Sequence, residues 1–443
     1  MAGSVFDSAL YGRLFPTGEI GRLFTDSAEI RAMLVVEGAL ARAQGARGII
    51  PEESSKAINR AALEILIDPA ALAVATGANG VSVPALVAEF RKEMQAPEHA
   101  QYAHWGATSQ DISDTGLMLR LRQALGLLEA DLRAILSALA TTARAHARLP
   151  MAARTYGQHA TPTSFGAVVA GWGAPLLGLL AELDGLRRDC LLVSLSGAAG
   201  TAAALGPEAP QLRADLAAAL NLADPGRSWH ADRTPILRLA DWCLRLTLAL
   251  GKLGEDATEL VTTGIGEITL GGAGASSTMP QKQNPVAPSV LVALARQSAG
   301  LMATLHGTAM PRHQRDGAAW FTEWLCLPQI VLGAAAAATT GKALAQGIAP
   351  VPAAMTGALE AGLDMIHAEA MSFALAEQLP RPEAQAAVKA LCKEALATDT
   401  PLRALIARDY PAIDAAALFD AAQQMGHAPQ EAEAFAAAVR ALS

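Results

Sequence analysis

Aromatic side chains make up only 4% of this 443-residue chain, charged ones only 17%, and runs of β-branched residues are rare. Such a core is not that of a sheet protein, and the dominance of Ala and Leu points to helices. Cysteine is sparse as well: Cys190, Cys243, Cys326 and Cys392 lie far apart, with no CxxC pair and no Cys/His cluster. That spacing argues against a disulfide framework or a zinc site and fits reduced thiols in a core. A basic stripe is missing too. The 34 Lys and Arg are scattered among 42 Asp and Glu, for a net charge of -8, so neither nucleic acid nor a membrane surface is an expected partner. The amino-terminal MAGSVFDSAL has no basic segment leading into an apolar run, so a cytoplasmic enzyme is expected. The stretch Phe165 to Ala181 is apolar throughout, but its glycines and Pro175 leave it just short of a comfortable membrane span. It reads instead as a helix buried on all sides in a bundle.

What the chain does have is length and helical period. It exceeds one typical domain and carries ample apolar content for a sizeable core. Three regions are expected: a helical amino-terminal domain over 1–110, a central bundle of long helices over 111–346, and a carboxy-terminal helical domain over 347–443. In the first, Asp26 or Ser27 is placed to cap a helix with Ile30, Met33, Leu34 and Leu40 facing inward. Glu52 to Ile67 reads as a second amphipathic helix, and Thr76 to Pro84 as a loop with a plain turn at Asn79-Gly80. The central region shows helical periods at roughly 112–148, 162–190, 233–264, 286–309 and 320–346. So much apolar helix surface needs a partner, and a bundle shared between subunits is expected.

Polar clusters interrupt this pattern at helix ends. In HWGATSQDISDT, His104 to Thr115, Thr108 and Ser109 precede a long helix; Ser109 or Asp111 would cap it, or the hydroxyls and free amides would hold an anion. In RTYGQHATPTS, Arg154 to Ser164, His159 beside Gln158 is either a satisfied structural group or an acid, base or carboxylate ligand. In HQRDGAAWFTEW, His313 to Trp324, Arg315 is placed for a bidentate carboxylate contact or a surface ion pair. The richest cluster is GGAGASSTMPQKQNP, Gly271 to Pro285. Its glycines allow positive φ and its two prolines stiffen it, while Ser276, Ser277, Thr278, Lys282 and Asn284 offer hydroxyls, a cation and an amide.

Taken in order, TSxDxxxT, QHAxPTxxG and SSxMPxKxNP, with long helices between them, resemble the fumarase/aspartase superfamily. The match extends over nearly the whole chain. It implies an all-α, three-domain fold, a homotetramer built around a twenty-helix core, and active sites shared by three subunits, each giving one motif. It also implies proton transfer at a carbon beside a carboxylate of a small polycarboxylate substrate, through an aci-carboxylate, with no metal or redox cofactor. By correspondence of motifs, Ser276, aided by Lys282, is the proton-transfer serine, with Ser277 the alternative hydroxyl in the same segment and His159 a further catalytic residue; Thr108, Ser109, Gln158, Met279 and Asn284 are substrate-contacting positions, and Arg315 a carboxylate ligand. The loop is expected to act as a lid.

Departures from the pattern narrow the chemistry. Tyr156 stands where fumarase, argininosuccinate lyase and adenylosuccinate lyase have a histidine, and ANGVSVPALVAEF lacks the histidine of adenylosuccinate lyase. Protonation of a leaving amine would lack its usual donor. YGRLF, HWGATSQD, WHADR and RDGAAWFTEW are similar to the lactonising, carboxymuconate branch of the superfamily, whose substrate uses an internal carboxylate as nucleophile. An elimination from a succinyl-type substrate, as in adenylosuccinate lyase, is the alternative, and a paralogue without catalysis a further one. Ala275 replaces the usual glycine before the serine, and Gln314 the glutamate often found beside the arginine.

Overall fold

Five stretches keep their apolar residues on helical spacing for many turns, and each folds as one long helix: Ser109–Ala145, Phe165–Cys190, Thr234–Leu260, Val286–Leu305 and Gly317–Gly347. These are the helices of a computed structural model that describes residues 3–272, 274–275, 279 and 282–442. Their starts follow from side chains that accept free backbone N–H groups. Ser164 Oγ accepts from Ala167 N at 3.3 Å, Asp232 Oδ1 from Thr234 N at 3.1 Å and Asp316 Oδ1 from Ala318 N at 3.0 Å.

The amino-terminal region differs in detail from the sequence reading. Thr25, not Asp26 or Ser27, caps Asp26–Ala46, accepting from Ala28 N at 3.3 Å. The stretch expected as a loop belongs largely to helices Pro69–Asn79 and Val83–Glu93; Gly80, at φ 73°, ends the first of these. Only a residue without Cβ takes that left-handed cap freely, which is why an Asn-Gly pair ends a helix here.

By contacts the chain forms two compact units. One comprises Met1–Asp131, Leu179–Leu248 and Ala293–Thr339, the other Leu132–Gly178, Ala249–Val292 and Thr340–Ser443, so every long helix contributes to both. In the first unit Met33, Leu40, Ile58, Phe90 and Leu212 belong to one buried cluster, and Trp242 Nε1 donates to Leu179 O at 3.0 Å. In the second, helix 234–260 meets helix 286–305 so closely that a Cβ on Gly254 would lie 2.7 Å from Pro288 O. Trp172 Nε1 donates to Asp256 Oδ2 there at 2.8 Å, and Met371, Leu375, Leu391 and Ile406 form a separate core among shorter helices. Cys190, Cys243 and Cys326 are buried in the long helices, and Cys392 is half-buried.

The second polar cluster is not simply a lead-in to a helix. Pro150–Thr155 (β1) and Gln158–Ser164 (β2) pair antiparallel, Thr155 opposite Gln158 and Arg154 opposite His159. Tyr156 and Gly157 make the two-residue turn with φ of 53° and 71°, the mirror-image geometry that matches strand twist.

Helix Phe165–Cys190, expected to be buried on all sides, leaves Gly171, Ala174, Pro175, Gly178 and Ala181 exposed. With its full 26 residues it is also long and apolar enough to cross a membrane, as are Val286–Ala309 and Gly317–Gly347. The chain's own packing buries 67% of the apolar window in Gly317–Gly347 but only 39% in Val286–Ala309.

Candidate active site

Thr108 precedes the first residue of helix 109–145, and the turn that follows it carries most of the site's buried polarity. Asp111, buried, accepts from Thr108 N at 3.1 Å, so the cap expected from sequence exists. Its carboxylate does more: it also accepts from Ser194 Oγ at 3.0 Å and from Ser196 N and Gly197 N at 2.9 Å each. His230 Nε2 lies 2.8 Å from the same carboxylate and 3.1 Å from Ser194 Oγ. A buried carboxylate needs donors of this kind, and they tie the 194–197 segment to the helix start.

One turn on, Asp114 takes both guanidinium Nη atoms of Arg233, at 2.9 and 3.0 Å, and Arg233 reaches Glu323 at 2.6 and 2.8 Å. All three are buried. Burial opposes charge on Arg233, but the flanking Asp114 and Glu323 outweigh it and raise its pKa. Glu323 is raised above the usual carboxylate range, burial outweighing Arg233. Asp114 and Glu323 also line a cavity of about 580 Å³ whose walls include Phe24, Leu72, Trp320 and Trp324.

Arg315 joins this structure at its edge. Its Nε donates to Gln110 Oε1 at 2.9 Å, and its Nη2 to Thr108 Oγ1 and Ala198 O at 3.3 Å each. Among the described residues no carboxylate pairs with it; its neighbour Asp316 is taken by Arg312, which holds that carboxyl well below the usual range. The surface ion pair weighed for Arg315 is therefore not formed among the described residues. Arg315 and Thr108 are the two site residues from the sequence reading that touch in the first unit; Ser109, beside them, is half-buried.

In the second unit Gln158 and His159 begin β2 and are exposed, and Tyr156 at the hairpin tip is fully so. Gln158 Nε2 donates to the neighbouring Gly157 O, at 3.2 Å. One residue pair from the tip, Arg154 donates from Nη1 to the fully buried Glu267 at 2.8 Å. The glycine-rich stretch begins just beyond Glu267. Gly274–Ala275 pairs antiparallel with Gln283–Asn284, Asn284 opposite Gly274. Lys282, exposed, donates its backbone N–H to Met279 O at 2.9 Å. Ser276 and Ser277 lie outside the described residues. Gly271 and Gly272 do not take the positive φ expected of them; Gly264 and Gly266, at 93° and 58°, supply the turn. Gly271 is needed for another reason, since a Cβ there would sit 3.0 Å from Gly347 Cα.

Sequence reasoning did not single out Gln110, Asp114 or Glu323, nor assign roles to His230 and Arg233 inside WHADR. Gln110 and Asp114 are four apart, and two polar residues on the inward face of an otherwise apolar helix are the signal that could have found them. Among the described residues no group of three or more His, Cys, Asp or Glu side chains is arranged to hold a metal.

Long helices with three polar clusters between them, in the order described, define the class: a mostly helical enzyme of the lyase type. The chain belongs to the fumarase/aspartase superfamily. A family model described as "Lyase" matches residues 15–300. The chain is 36% identical over 405 residues to the 3-carboxy-cis,cis-muconate cycloisomerase of Pseudomonas aeruginosa, covering 90% of this chain and 88% of that one. It is 34% identical over 450 residues to the nitrosuccinate lyase of Streptomyces davaonensis, covering 96% and 94%. The crystal structure of 3-carboxy-cis,cis-muconate lactonizing enzyme from Pseudomonas putida superposes with a TM-score of 0.91 at 33% identity, over 98% of this chain and 99% of that one.

Proposed function

We propose that this enzyme is a 3-carboxy-cis,cis-muconate cycloisomerase, a step in protocatechuate catabolism. The observation that carries the reading is the 36% identity to a protein of that name over 90% of the chain. Tyr156 supports it, since a substrate whose own carboxylate is the nucleophile has no leaving amine to protonate.

A substrate carboxylate oxygen attacks the conjugated double bond. The C–O bond forms, and the π pair moves to the carbon beside another carboxylate, giving an aci-carboxylate. Ser276 delivers a proton to that carbon, yielding 4-carboxymuconolactone; no group leaves, and one proton is taken from solvent per turnover. A serine is a weak acid, so Lys282 and nearby backbone amides must stabilise the alkoxide it becomes on giving up that proton, before solvent reprotonates it. Arg315, Thr108, Ser109, Gln158, His159 and Asn284 hold the carboxylates, with Ser277 and Met279 beside the serine. Fixed cations and donors serve here because the developing charge is on carboxylate oxygens.

Each site is completed by three subunits of a homotetramer. The exposed Gly171, Ala174, Gly178 and Ala181 face, the largely uncovered apolar window of Val286–Ala309, and the exposed Gln158 and His159 all support such an assembly. The test is loss of conjugated-diene absorbance of 3-carboxy-cis,cis-muconate together with uptake of one proton per lactone. Ser276→Ala should lower kcat by about 10²–10⁴-fold with the assembly intact; near wild-type rates would sink the assignment. The resemblance to nitrosuccinate lyase favours a second reading, β-elimination from a substituted succinate. It wins if the muconate is inert and such a succinate releases its substituent.

A further inference from the structure

The guanidinium of Arg315 is one side chain away from a strongly acidic interior. Asp114 and Glu323 share a single arginine, Arg233, and are buried with it. What stands between Asp114 and Arg315 is Gln110. Both ends of its amide are used: Nε2 donates to Asp114 Oδ2 at 3.2 Å and to His230 O at 3.1 Å, and Oε1 accepts from Arg315 Nε at 2.9 Å. Because both partners of Nε2 are acceptors, the amide has one orientation, with its oxygen toward Arg315. The remaining contacts of Arg315 come from a hydroxyl and a backbone carbonyl, Thr108 Oγ1 and Ala198 O. Ala198 O is itself held in place through Gly197 N and Ser196 N on Asp111.

We propose that Gln110 is a positioning residue: a neutral spacer that fixes Arg315 for a substrate carboxylate while keeping its charge from being spent on the buried acids. The reasoning is electrostatic. A guanidinium oriented by uncharged acceptors keeps its full attraction for an incoming carboxylate, whereas one paired internally must break that pair or share it. An uncharged amide accepts from Arg315 and donates to Asp114 at once. A carboxylate at this position would face Asp114 with one oxygen and Arg315 with the other.

This inference rests on Arg315 binding a substrate carboxylate. Gln110→Glu and Gln110→Leu separate charge from position. For Gln110→Glu, KM should stay near wild type at low pH, where the new carboxyl holds a proton, and rise by at least about tenfold as pH rises and it ionises. For Gln110→Leu, KM should be raised at every pH, with kcat changed less than KM. A crystal structure of Gln110→Leu supplies an arm that needs no turnover: the guanidinium should leave its place between Thr108 and Ala198. If it keeps that place, or if Gln110→Glu shows a KM with wild-type pH dependence, Gln110 does not act as proposed. Should the wild-type enzyme leave the muconate untouched, the functional reading fails, and the crystallographic arm still decides the role of Gln110.

Discussion

His104 sits in the left-handed region at φ 62°, a cost for a residue with a Cβ, and its Nδ1 lies 2.7 Å from the buried Glu37. Burial opposes charging this imidazole, but the hydrogen bond and charge of Glu37, with the field of Asp111, outweigh burial and raise its pKa. The stabilisation is therefore complete below the unfolded imidazole value of about 6.5 and is lost as pH rises through the higher folded value. The melting temperature of the wild type should exceed that of His104→Gln by more at pH 6 than at pH 9. A pH-independent difference would mean that the imidazole acts as a neutral hydrogen-bonding group. Only part of this cluster was legible in HWGATSQD. An Asp three residues into a helix announces a cap, and Asp111 does cap. That the same carboxylate also gathers Ser194, two backbone amides and His230 depends on segments some 80 to 120 residues away, which no local pattern reveals.

At the scale of elements, the five long helices were readable because apolar spacing repeats over many turns, and their expected limits fall within a few residues of the observed ones. The β1-β2 hairpin was not. Its strands mix proline, glutamine, histidine and threonine, and the one cue, a glycine after an aromatic residue, is weaker than the Asn-Gly pairs that mark such turns. That Gly157 lies at φ 71° with open space around it makes a test possible. Gly157→Ala meets no neighbour, so its cost is conformational, about 1 kcal/mol, and should lower the melting temperature slightly. Gly157→Val should cost more and reduce turnover through the displaced Gln158 and His159. An unchanged kcat/KM in the valine variant would show that the hairpin tip plays no part in catalysis.

At the scale of the whole molecule, the open question is what covers the small-residue face of helix 165–190. Gly171 and Gly178 have nothing within 4 Å of an added Cβ in the single chain. Side chains there are harmless to an isolated subunit and obstruct a close helix-helix contact between subunits. Light scattering after size exclusion should give four copies for the wild type and a smaller species for Gly171→Leu combined with Gly178→Leu. Turnover should fall with the assembly, because the exposed His159 would then have no neighbouring chain to serve. A tetramer that survives both leucines would place the interface elsewhere.

The sparse cysteines make the molecule report on its own opening. Burial pushes the thiol of Cys190 up to about 11 and that of Cys243 up to about 12, and raises Cys326 as well. Burial raises Cys392 too, but Cys392 is half-buried while the other three are buried, so access separates them. A thiol-trapping reagent should therefore modify Cys392 first and the others only as fast as their helices come apart. The slow phase of such labelling is a clock for unfolding under native conditions, with no denaturant needed to set it running.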